Sequence, residues 1–302
     1  MTSTLRILLV CATLAAPAAW AVPAPAPAAA ATESSGAATL KARYADLHAQ
    51  LDRSAFGRPV FLQSSEAGKT QKGEVYAVVD YPFSVVEHGL SEPQSWCDVM
   101  ILPYNTKHCH ADGAGRSTTV TLRIGRKADQ APEDANPIKF AYDVESTNAD
   151  YLRVVLNAPD GPLGTRDYRI VLEATPIDEK HSFIHLGYTY GFSALSKFAM
   201  QAYLNTAGAH KVGFTVTGRD GNGDPQYVGG MLGATERNTM RYFLAIDAFL
   251  GSLAVPEPQR LEKRLNDWYA ASGKYPRQLA EMDRSEYLAM KRKEAGRMKE
   301  AL

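Results

Sequence analysis

Ile138-Lys139-Phe140-Ala141-Tyr142-Asp143-Val144 places apolar side chains at every second position, with Lys139 and Asp143 between them. Successive side chains of a β-strand point to opposite faces, so this period of two marks one buried face and one wet face. The pattern repeats outward from this stretch. Upstream lie Val120, Leu122 and Ile124, with Thr119, Thr121 and Arg123 opposite. Downstream lie Leu152, Val154 and Leu156, then Tyr168, Ile170 and Leu172 with Asp167, Arg169 and Glu173 opposite. Ile184, Leu186, Tyr188 and Tyr190 follow, and Val212, Phe214 and Val216 close the series. Alternation of this kind belongs to antiparallel sheets, whereas parallel sheets show continuous apolar strands separated by helices. Rossmann and TIM-barrel architectures are therefore not expected, and no glycine-rich phosphate loop of standard spacing is present.

Helices flank the strands. Thr235 to Leu253 carries a stripe of Met240, Phe243, Leu244 and Leu250, widened by Ile246, Phe249 and Leu253. A stripe this wide needs a partner surface, and the apolar sheet face supplies one. Leu195 to Thr206 is a second amphipathic segment, and Leu40, Tyr44, Leu47 and Leu51 mark a third over Thr39 to Ser54. Val60-Phe61-Leu62 and Glu74 to Asp80 read as strands. Pro82 then opens a short helix to Leu90, and Pro93 a second turn ending at Trp96. The expected fold is α+β: a curved antiparallel sheet gripping a long C-terminal helix, with an added helical extension.

The chain has 302 residues, with Lys+Arg and Asp+Glu both at 33. A nucleic-acid binder would show a basic excess, so that class is not expected. Residues 1–21 read as a cleaved secretory signal: one charge, Arg6, a short apolar core from Ile7 to Ala12, and the small-x-small site Ala19-Trp20-Ala21. A periplasmic or secreted location follows. Pro17 breaks the apolar run, against the alternative of a membrane anchor. Residues 22–38 are Ala/Pro rich and read as a tether. The main domain then spans 39–255 and a basic helical extension 256–302. The extension holds eleven basic and eight acidic residues. Lys291-Arg292-Lys293, Arg297 and Lys299 make it either a solvated tail or a peripheral contact with an anionic membrane. Cys97 and Cys109 remain after signal removal. In an exported protein they are expected to form a disulfide, with a redox pair or metal ligands as the alternative.

The order of elements resembles the START-like, or SRPBCC, helix-grip superfamily. The resemblance rests on the strand ending in Tyr81-Pro82-Phe83, the two short helices ending at Trp96, the sheet, and the long closing helix. Trp96-Cys97-Asp98, Gly164-Thr165-Arg166-Asp167-Tyr168 and Tyr227-Val228-Gly229-Gly230 also resemble a group of secreted proteobacterial proteins with no assigned activity. The superfamily resemblance implies a cavity between sheet and helix that holds a lipid, sterol or other hydrophobic molecule. On this chain its expected lining is Phe140, Tyr142, Tyr168, Ile170, Tyr188 and Tyr190 from the sheet. The helix would add Arg237, Met240, Arg241, Phe243 and Asp247. Tyrosines, apolar with a polar tip, suit an amphiphile. The other reading of the same residues is a solid core.

Three function classes follow: a carrier of a hydrophobic or lipid-like molecule, an enzyme using the same cavity, and an envelope interaction protein with a filled core. Glu236 and Asp247 lie on one helical stripe about 16 Å apart at 1.5 Å per residue. They or a tyrosine are the acid/base candidates. Arg237 and Arg241, at i and i+4, either clamp an anionic headgroup or face solvent. His108, His110, His181 and His185 would form a metal site only if their strands are neighbours. Asp220 to Asp224 begins like a calcium loop, but Pro225 and Met231 stand where glycine and glutamate are needed, so it reads as a hairpin turn. Ser193 lacks a nucleophile elbow. No cofactor motif is present.

Overall fold

The computed structural model describes residues 28–193, 198, 201 and 210–300. The segment 1–21 and most of Leu195 to Thr206 lie outside them. The first helix, α1 (Ala28–Asp52), precedes a hairpin of β1 (Val60–Ala67) and β2 (Thr70–Val79). Two short helices, α2 (Phe83–Leu90) and α3 (Pro93–Met100), lead into six strands. These are β3 (Thr106–Asp112), β4 (Thr119–Ile124), β5 (Asn136–Asn148), β6 (Tyr151–Asp160), β7 (Thr165–Pro176) and β8 (Ser182–Phe192). Each pairs antiparallel with the next, and β8 returns to β2. The order is therefore β1-β2-β8-β7-β6-β5-β4-β3. Register shifts at Thr106/His108, Val144/Ser146 and Arg166/Arg169 are bulges, which bend strands locally. A small ribbon of β9 (Val216–Arg219) and β10 (Pro225–Tyr227) follows. Four helices complete the chain: α4 (Gly230–Ser252), α5 (Glu257–Gly273), α6 (Pro276–Leu279) and α7 (Arg284–Glu300).

The α+β helix-grip arrangement is thus present. The alternation sorts the strands as expected. Val75, Ala77, Leu156, Ile170, Leu172 and Leu186 share one buried cluster with Met240, Phe243 and Phe249 of α4. This inner face comes very close to the helix at β2. A Cβ on Gly73 would lie 2.1 Å from Thr239 Oγ1, so only glycine fits there. The opposite face is also covered. Leu40, Leu47 and Leu51 of α1 pack on Tyr76, Tyr151 and Phe183.

Several expectations are corrected. The helix expected from Thr39 begins at Ala28, so the Ala-rich end of the expected tether is helical. Alanine is the strongest helix former, which explains the extension. Val212, Phe214 and Val216 do not close the large sheet. Val216 starts the small ribbon, and Phe214 packs at 5.5 Å on Phe56 and 5.4 Å on Tyr275. The turn between β9 and β10 is the Asp220–Asp224 loop, where Asp220 Oδ1 accepts from the backbone N–H of Asn222 and Asp224. β3 escaped the alternation test because its inner-face positions include Lys107.

The largest difference concerns residues 256–302. They form part of the core rather than an exposed tail. Trp268 and Tyr287, both fully buried, stack at 5.2 Å, and each meets Tyr104 edge-on. Trp268 Nε1 donates to the Arg241 carbonyl, and Tyr287 Oη to the Leu102 carbonyl. Lys291 is fully buried and donates to the Thr106 carbonyl and Glu294. Glu294 also accepts from buried Lys107 at 2.9 Å. Arg292 pairs with Glu262, Lys293 with Asp129, and Arg297 donates to the Gln130 carbonyl. Those cations of the expected basic patch are engaged within the protein.

Cys97 of α3 and Cys109 of β3 form the expected disulfide, with Cα atoms 5.2 Å apart and a sequence separation of 12. Replacing both by serine is expected to cost about 3 kcal/mol, read as a lowered urea midpoint. Glu294→Gln leaves two buried ammonium groups without a counter-charge. A loss of about 3 kcal/mol is expected in urea unfolding, against no measurable loss if the cluster is solvated.

Candidate functional site

The side chains on the inner face of β5, β7 and β8 gather into an aromatic cluster. Tyr188 and Tyr190 are two apart on β8 and share a face. Tyr168 of β7 stacks on Tyr190 at 5.6 Å and lies 6.2 Å from Tyr188. Phe140 of β5 meets Tyr168 edge-on at 6.4 Å. From the helix side, Tyr242 reaches Tyr188 at 5.6 Å. Local backbone features aim Tyr168. Asp167 adopts φ +52° within the bulge of β7. A Cβ on Gly161 would stand 2.2 Å from the Tyr168 ring, so the turn before β7 requires glycine to seat it.

Packing along α4 is uneven. Met240 and Phe243 are essentially inaccessible and belong to the solid core, as do Phe140 and Ile170. Ala234, Asn238 and Tyr242, at i, i+4 and i+8, each keep accessible surface, and so does Tyr168. Burial pushes the Tyr242 phenol up to about 12, while Arg241 opposes the shift. Tyr242 thus keeps accessible surface where it meets the aromatic cluster. Burial also raises Tyr168, Tyr188 and Tyr190. These groups remain protonated at neutral pH and offer O–H donors rather than phenolate bases. Tyr168 Oη lies 2.8 Å from Thr165 Oγ1.

The remaining expected site residues divide. Tyr142 is buried away from this cluster and donates to the Ser91 carbonyl at 2.7 Å. Arg237 and Arg241 do not face solvent: both are buried. Arg237 donates to the Lys211 carbonyl and Arg241 to Glu281. Asp247 is held by both terminal nitrogens of Arg58, at 2.6 and 3.2 Å, so its expected place in a ligand site is corrected to that of an ion-pair anchor. Glu236 is saturated. It accepts from Ser64 Oγ, Thr215 Oγ1 and the backbone N–H of Phe214 and Thr215. Tyr242 was missed because it lies outside the apolar stripe. Its signal was the repeat Ala234, Asn238, Tyr242 beside that stripe.

The four histidines do not converge. β3 and β8 are separated by β4, β5, β6 and β7. His108 and His110 instead line an outer cleft of about 760 Å³ with Arg123, Glu133 and Arg297. His185 lies under α1 between Glu173, 2.7 Å from Nδ1, and Glu74, 3.2 Å from Nε2, with the Tyr76 ring stacked at 4.3 Å. Burial raises both carboxylates, but His185 and their other donors outweigh it and bring each to about 2. Those donors are Lys72 and Gln63 on Glu74, and Tyr151 and Arg153 on Glu173. Burial lowers His185, and the two glutamates overcome this to raise it.

No family model matches the chain, and no curated protein does. Among solved structures, norcoclaurine synthase from Thalictrum flavum in complex with dopamine and hydroxybenzaldehyde is similar at 13% identity. It covers 48% of this chain and 87% of its own, with a TM-score of 0.34. The Zhui aromatase/cyclase from a Streptomyces species shares 12% identity over 67% of this chain and 93% of its own, with a TM-score of 0.31. A conserved protein from Geobacillus kaustophilus shares 12% over 46% and 85%, also at 0.31. The likeness is partial, and the roles assigned below rest on this chain's own geometry.

The His185 cluster sets a pH window for stability. The contribution of His185 is complete below its unfolded value of 6.5 and is lost as pH rises through its raised folded value. That of the glutamates is complete above their unfolded value of 4.5 and is lost as pH falls towards about 2. The stability difference between wild type and His185→Gln, followed by urea unfolding, is therefore expected to be largest near pH ~5.5 and to shrink by pH ~9. A difference independent of pH would contradict the assignment.

Proposed function

We propose that this is an exported binding or carrier protein for a hydrophobic, lipid-like small molecule held between the inner sheet face and α4. The observation that carries the reading is the accessible surface kept by Tyr168, Asn238 and Tyr242, which we read as a recess beside the aromatic cluster. Its walls are aromatic with protonated hydroxyls, a surface that shields an apolar body and hydrogen-bonds a polar end. The acid/base alternative loses its two carboxylate candidates, because Glu236 is saturated and Asp247 is held by Arg58, and keeps only the tyrosines. Export is supported by the signal-like pattern of residues 1–21 and by the disulfide, since disulfides persist in oxidising compartments. Arg292, Lys293 and Arg297 are internally engaged, so membrane attraction through the C-terminal helix plays no part in this reading.

Native mass spectrometry and lipid extraction of the full chain purified from an exporting host test it. A co-purifying amphiphile is expected, together with enhanced Nile red fluorescence on binding. Ala234→Phe, which adds bulk at the recess, is expected to weaken Nile red by about tenfold, or 1.4 kcal/mol, with little change in melting temperature. An empty protein that gives no Nile red signal would instead favour an interaction protein with a filled core.

A further inference from the structure

Three cations converge on one carboxylate beside the recess. Glu281 Oε1 accepts from Arg241 Nη2 at 2.5 Å and Lys127 Nζ at 2.6 Å, and Lys211 Nζ lies 3.9 Å from Oε2. Lys211 also donates to the Ala280 carbonyl, and its own carbonyl accepts from Arg237. Glu236, next to Arg237 on α4, is occupied by Ser64, Phe214 and Thr215. Residues 181–219, which include Lys211, contain no Asp or Glu. The cluster therefore sets three cations, Arg241 buried and Lys127 and Lys211 partly exposed, against one carboxylate, and residues 181–219 add no acidic side chain.

Arg241 has a donor left over from its pairing with Glu281. It is 6% exposed, yet its Nε has no hydrogen-bond partner among the described residues. A buried guanidinium donor left unpaired is costly, and an Arg side chain is built to bind a carboxylate through two parallel N–H groups. Its Nη1 lies 3.4 Å from Asn238 Oδ1, and Tyr242 is the next residue. Both neighbours belong to the partly accessible stripe, so the cluster borders the aromatic recess. Burial, followed by the charge of Arg241, pushes the Lys127 ammonium below its usual range despite Glu281.

We propose that the molecule held in the recess is an amphiphile with an anionic head. The head accepts from Arg241 Nε beside Lys127, and its apolar chain lies along Tyr242 and Tyr188. This deepens the binding-protein reading and rests on it.

Isothermal titration of the full chain with dodecanoate, dodecanol and acetate tests the head and the chain separately. Dodecanoate is expected to bind at least about tenfold tighter than dodecanol, and acetate not measurably. Lys127 is partly exposed, so Lys127→Gln is expected to fold and to reduce the dodecanoate preference by about threefold. Arg241→Gln, where it folds, should abolish the preference. Equal affinity for dodecanoate and dodecanol overturns the anionic-head inference and leaves the carrier reading standing. Acetate binding as tightly as dodecanoate overturns it in favour of a small-anion site. A preference unchanged in Lys127→Gln overturns the assignment to this cluster. Binding of none of the probes removes both the inference and the carrier reading.

Discussion

The close seating of α4 on β2 and β8 is the contact on which the rest of the structure depends. The helix approaches far enough for Thr239 to meet the backbone at Gly73, so Met240, Phe243 and Phe249 reach the apolar face of the sheet. Each such large apolar side chain contributes about 1.5–3 kcal/mol on burial. The seam is anchored at both ends by polar contacts. Asp247 binds Arg58 from the loop before β1, and Glu236 binds Ser64 of β1 and the segment before β9. Carboxylates that resemble catalytic candidates on a helical wheel thus act as fasteners between helix and sheet.

Fixing the helix in this way determines where the interior is full and where it is not. Beyond the seam, the C-terminal helices cover the β3 end, with Trp268, Tyr287 and Tyr104 packed as one aromatic block. The buried Lys107–Glu294–Lys291 cluster joins β3 to α7. A three-member cluster of this kind works only with every member present, because removing the shared carboxylate leaves charge in a poorly solvated place. What remains is the narrow region where Tyr168 and Tyr242 retain accessible surface. The same division puts Arg241, Lys127 and Lys211 around the single carboxylate of Glu281 at the edge of that region. A fully packed core would have had no reason to keep them there.

The outer face of the sheet follows a different rule. Its alternating polar positions include Glu74, Glu173 and His185, which face α1 rather than water and satisfy one another. One helix thereby covers a face that the pattern of residues marks as wet. Leu40, Leu47 and Leu51 supply the apolar contact, and the histidine between two glutamates supplies the polar one.

The helix-grip order was legible in the sequence because backbone periodicity is local. A strand declares its inner face every second residue and α4 its stripe every three or four, so sheet and helix could be read before any contact was known. The two cysteines were legible as a pair because the signal-like N-terminus led to the expectation of an oxidising compartment, where thiol pairs form disulfides. The candidate site was legible only in part. Phe140, Tyr168, Tyr188 and Tyr190 do come together. Tyr142, Asp247 and Glu236 share the same faces but are bonded elsewhere, and neither a hydrogen-bond partner 50 or more residues away nor the packing of α5–α7 can be deduced from spacing. The sequence by itself determined which face of each element is apolar. Only the tertiary structure decided which polar groups are satisfied, which charges are shared, and where the interior stays open, because each of those depends on long-range neighbours.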